Sequence, residues 1–205
     1  MKFRTTLTVL ALSAVFARAA AAHPGHDHDL GPGIQNVLTA GLFHPLLGLD
    51  HLLAMFAVGL LAAKLGGRAL WALPAAFLGL MVFGGAAGMA GYSLPANEIG
   101  IAVSVVMLGV ALVIGMKYPL PAATIIVGCF GMLHGHAHGV ELPRLASPLL
   151  YSCGFVAATA ALHIAGMGAG LWLLRSARFT TLVRASGAAI SVVGLVLLVR
   201  IATMS

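Results

Sequence analysis

Residues 34 to 63 form an apolar run long enough to cross a bilayer as a helix, yet His44, Asp50 and His51 stand in the middle of it. Ionisable groups inside such a helix are costly unless something pairs with them, so their presence limits the chain to folds that bring partners from other segments. On a straight helix His44 and His51 share a face, about 10 Å apart along the axis, with Asp50 turned to one side. Pro45 leaves a carbonyl without its donor one turn earlier, and Gly48 permits a bend or the close approach of a neighbouring helix. Imidazole nitrogen and carboxylate oxygen are borderline-to-hard ligands suited to Ni, Co, Zn or Mn. The residues alone point to a divalent-metal site inside a membrane.

Composition agrees. The chain is 60% hydrophobic and 8% charged, where a soluble domain carries roughly a quarter charged residues. Residues 1–22 read as a cleavable signal peptide, with Lys2 and Arg4 first, an apolar core from Leu7 to Phe16, and Ala20-Ala21-Ala22 at the cleavage site. A polar tract, 23–33, follows. It carries His23, His26 and His28 and could collect a divalent cation weakly, or be a solvated tail with incidental histidines. Without Lys2, Arg4 and Arg18 of the signal, 11 − 3 = 8 basic residues stand against 5 acidic ones, and that net +3 lies in loops without interleaved aromatics, so nucleic acid is a poor reading. Cys129 and Cys153, with no C-x-x-C, read as small packing residues rather than a disulfide or thiolate site.

Residues 34–205 read as a six-helix transmembrane domain, an all-α integral membrane protein built as a compact bundle. After the first span come 70–90, 96–116, 120–142, 148–174 and 181–203, separated by Gly, Pro and basic turns. With the mature N-terminus outside, Lys64, Arg68, Lys117, Arg175, Arg178 and Arg184 face inward and only Arg144 and Arg200 outward, as the positive-inside rule requires. Both ends are then periplasmic, and Tyr92 and Tyr151 fall in the outer aromatic belt. Gly131, Gly135 and Gly139, Gly84 and Gly88, and Gly166 and Gly170 repeat every fourth residue, the spacing of close helix packing.

The fourth span carries His134, His138 and Glu141 at i, i+4 and i+7, on one face beside those glycines, while His136 points away, to packing or an outer-face role. Gly135 stands where a zinc protease of H-E-x-x-H type needs its glutamate. Glu98 opens the third span and His163 lies within the fifth. Depth along the spans gives an outer tier of His44, Glu98, His138 and Glu141 and a deeper tier of Asp50, His51, His134 and His163. Such a series could replace water ligands stepwise on a dehydrating cation. Read singly, Glu98 and Glu141 could equally cap or snorkel at span ends, and His163 could be a helix–helix hydrogen bonder.

These segments resemble the HupE/UreJ family of nickel permeases. The signature H-P-x-x-G-x-D-H-x-x-A-M-x-x-V-G runs from His44 to Gly59, and H-G-x-A-H-G-x-E from His134 to Glu141. The stretches from Asn97 to Val105 and from Gly154 through Thr159 to His163 are also family-like, so the likeness covers the mature chain. The resemblance implies uptake of Ni²⁺, with Co²⁺ as an alternative cargo, across a bacterial inner membrane to supply hydrogenase or urease and their maturation proteins. It implies that His44, Asp50, His51, Glu98, His134 and His138 are needed. No prosthetic group or catalytic residue is expected, and no P-loop G-x-x-x-x-G-K-[ST] occurs. A metal sensor or metallochaperone, and an intramembrane metalloenzyme, are the alternative classes.

Overall fold

The first apolar run does not form one straight helix. In the computed structural model, which describes residues 34–114, 119–141, 147–176 and 178–204, it is broken into α1 (Ile34–Leu47) and α2 (Leu49–Leu65), bent by 77° at Gly48. Two local causes act together. Pro45 withdraws an N–H from the ladder inside α1, and Gly48 takes an extended backbone, φ −78° and ψ 114°. This corrects the straight-helix expectation, because the bend brings the His44 and His51 rings to a centroid distance of 5.8 Å.

Five more helices follow: α3 (Ala69–Met89), α4 (Asn97–Val113), α5 (Leu120–Glu141), α6 (Pro148–Leu173) and α7 (Phe179–Met204). Among the described residues all regular structure is helical. By length and composition α3, α5, α6 and α7 can each cross a membrane, and the bent pair α1–α2 makes a fifth span if it counts as one. Helix α4 is apolar but only 17 residues long. At 1.5 Å per residue it reaches about 25 Å, short of the ~30 Å hydrocarbon core. Its C-terminal end is fixed by Lys64 of α2, whose Nζ donates to the carbonyls of Ala111 (2.7 Å), Leu112 (3.1 Å) and Ile114 (2.5 Å). A lysine read as an inner-loop charge thus also caps a neighbouring helix. The expected signal peptide and the tract with His23, His26 and His28 lie outside the described residues.

Helix α2 is the centre. From Ala54 to Ala63 nearly every residue is buried, against α6, α4, α3 and α7. The outer helices bury one stripe and turn Phe43, Phe83, Ile125, Leu149 and Trp172 outward, an apolar surface that lipid covers. Cys129 and Cys153 are exposed on this surface, which corrects their reading as packing residues. Tyr151 is buried rather than in the aromatic belt.

Close packing runs through the glycines that the four-residue spacing singled out. Helices α3 and α5 interlock, Gly84 facing the Met132 carbonyl, Gly131 that of Phe77, Gly135 that of Met81 and Gly139 that of Gly85. Gly166 meets the Phe56 carbonyl at the α2–α6 crossing, and Gly109 and Gly187, which lie outside that spacing, bring α4 and α7 together. A methyl at Gly84 would run into backbone, whereas Gly79, on the same helix, has nothing within 4 Å. Gly84→Ala is therefore expected to lower stability by about 1–3 kcal/mol, and Gly79→Ala to be neutral or stabilising by up to about 1 kcal/mol. Thermal unfolding in detergent micelles measures both.

Candidate metal centre

The break at Gly48 delivers both ends of a helical ladder to one place. His44 sits in the last turn of α1, and Asp50 and His51 in the first turn of α2, where unpaired N–H groups and the positive end of the helix dipole favour a carboxylate. One Asp50 oxygen accepts twice, from the His51 backbone N–H at 2.8 Å and from His51 Nδ1 at 2.7 Å. That contact assigns the imidazole proton to Nδ1 and leaves the Nε2 lone pair facing the bundle interior. Gly48 is needed beside this pair: a Cβ there would lie 3.1 Å from both the Asp50 carboxylate and His51 Nδ1.

Helix α5 supplies the third imidazole. His138 Nε2 lies 2.5 Å from His51 Nε2, and its ring centroid is 4.5 Å from that of His44 and 4.6 Å from that of His51. Taking one nitrogen from each of His44, His51 and His138, the three atoms all fall within 4.8 Å of one another. Three imidazole nitrogens grouped this closely suit a first-row divalent ion. Asp50 stands behind His51, where it orients the imidazole as a carboxylate does behind a metal-binding histidine, and is not itself a member of the group.

The aromatic wall of this centre comes from α6. Phe155 touches His44, His51 and His138, at 5.9, 6.1 and 4.6 Å between centroids, and Tyr151 touches His44 at 5.9 Å. These two were not picked as site residues from the sequence. Their signal was the four-residue period Tyr151, Phe155, Thr159, His163, which puts all of them on one face of α6.

The other sequence candidates are placed as follows. His134 lies beside His51, centroids 5.0 Å apart, and its Nδ1 donates to the Phe130 carbonyl at 2.9 Å. His163 is buried farther along α6 against Phe77, which also contacts His134. Glu98 is exposed in the first turn of α4 and is not brought into the histidine group. Glu141 ends α5, and its side chain lies outside the described residues. His136 turns away, as expected, and its Nε2 donates to the Tyr92 carbonyl at 2.7 Å.

The fold is that of an all-helical, multi-pass membrane protein with a buried imidazole group at a broken span. The chain belongs to the HupE/UreJ family: the family model described as "HupE / UreJ protein" matches residues 10–197. A relative from Rhizobium leguminosarum bv. viciae, "Protein HupE", is 43% identical over 202 residues, covering 97% of each chain. No solved structure matches. Removing the orienting carboxylate tests the geometry: Asp50→Ala should weaken divalent-metal binding by about 10–100-fold, read by metal titration of the purified protein.

Proposed function

We propose that this protein is a secondary permease of the bacterial inner membrane that admits Ni²⁺, with Co²⁺ as a second cargo, and supplies a nickel enzyme such as hydrogenase or urease. The observation that carries the reading is the convergence of His44, His51 and His138 at the bend of a membrane span. Broken helices in transporters put binding groups at mid-membrane in this way, since irregular backbone is tolerated where protein covers it. Family membership supports nickel as the cargo, and the ligands do not add to it, because nitrogen donors alone do not separate neighbours in the Irving–Williams series.

In the proposed path a hydrated ion enters from the periplasmic side and exchanges water for imidazoles. It is held weakly enough to leave inward. The bundle then crosses the membrane six times, counting α1–α2 as one span and α4 as a short one, with both mature ends periplasmic. The described segments between helices are short turns, and transport is driven without nucleotide hydrolysis.

Cells producing the His51→Ala form should accumulate no more radiolabelled nickel than cells lacking the protein, while native cells accumulate it and excess Co²⁺ competes. Equal uptake by mutant and native forms contradicts the assignment. A native protein that binds nickel but gives no signal from a nickel-sensitive dye inside liposomes would be a sensor or metallochaperone.

A further inference from the structure

Beyond the three-histidine centre lies a second set of buried polar atoms that no contact among the described residues satisfies. His163 is 1% exposed, and neither of its ring nitrogens has a hydrogen-bond partner among the described residues. Thr159, fully buried one turn earlier on the same face of α6, has an unpartnered hydroxyl. That is unusual for a helical hydroxyl, which ordinarily bonds back to a carbonyl of the preceding turn. Other hydroxyls of this chain do so: Ser104 to Ile101, Thr124 to Leu120 and Ser186 to Leu182. His134, also fully buried, donates through Nδ1 to Phe130 but leaves Nε2 without a partner.

Each such group costs of the order of 1–3 kcal/mol when buried unpaired, and native folds rarely collect several in one region. Here the two imidazoles share one neighbour, and Thr159 lies one turn from His163 on α6. The fully buried Phe77 ring contacts His134 at 5.5 Å and His163 at 5.1 Å. His134 in turn touches His51 of the first centre at 5.0 Å. Along α6, Phe155 lies against the first centre, and His163 comes two turns later, about 12 Å farther along the axis.

We infer that His163, Thr159 and the Nε2 of His134 form a second divalent-cation station, deeper than the His44–His51–His138 group and reached past the Phe77 ring. The inference rests on the permease reading and deepens it. An ion that leaves three imidazoles in a dry interior needs new ligands before it can move on, and these atoms offer two imidazoles and a hydroxyl. His134 borders both groups, so it is placed to pass the ion from one to the other.

The test is a Ni²⁺ titration by calorimetry of the full purified chain in detergent. His23, His26 and His28 are replaced by alanine so that the N-terminal tract does not contribute. The native sequence in that background should take up two ions. His163→Leu should bind one, and this retained ion reports that the variant is folded. The near-isosteric Thr159→Val should weaken the second ion and leave the first unchanged. In sealed vesicles both variants should lose uptake while keeping the first ion. A single ion in native and variant proteins alike, or native-rate uptake by His163→Leu, overturns the second station and leaves the permease reading intact. No ion bound by the native chain would overturn both.

Discussion

The structure depends on one hydrogen bond in a place where hydrogen bonds are hard to provide: His51 Nδ1 donating to Asp50 at the start of a helix inside the bundle. A carboxylate at that depth is tolerable only with compensation. It has three sources here: the backbone N–H of His51, the imidazole N–H, and the positive end of the α2 dipole. All three exist because the span is interrupted at Gly48. An unbroken helix would have spent the His51 backbone N–H on its own ladder and pointed His44 and His51 along a line instead of toward each other. The break is thus the feature that turns an apolar span into a ligand-bearing one.

The rest of the bundle holds that break in register. Without a hydrophobic drive between helices in lipid, association relies on backbone approaching backbone, and the glycine contacts between α3 and α5 supply it. They fix α5 so that His138 meets His51, while the α2–α6 crossing at Gly166 seats Phe155 and Tyr151 against the imidazoles. Apolar rings around a polar centre exclude water and strengthen the electrostatics of each nitrogen that faces it.

How much of this was legible in the sequence varies with its physical origin. Helix limits followed from Gly, Pro and basic turns: α3, α5, α6 and α7 lie within two residues of the expected spans at each end. The glycine faces followed from their period, and the histidine positions from their cost inside apolar runs. The bend itself was legible only as a possibility, since Pro45 and Gly48 permit a kink without fixing its angle. Tyr151 was misplaced because a tyrosine near a helix end has the same spacing whether it faces lipid or a neighbour. Glu98 looked like a ligand by residue type, but three-dimensional proximity, which one helix's periodicity does not contain, keeps it out of the histidine group. Family resemblance, carried by two uncommon motifs, held over nearly the whole chain.

On the proposed reading, imidazoles from α1, α2 and α5 share one divalent cation. X-ray absorption at the nickel edge tests it most directly, on protein whose N-terminal histidines have been replaced and which is loaded with less than one equivalent of Ni²⁺. The expected result is a first shell containing several imidazoles, from which scattering is lost stepwise on replacing His44 and then His138. A shell made only of oxygen, or one unchanged by both replacements, would contradict it.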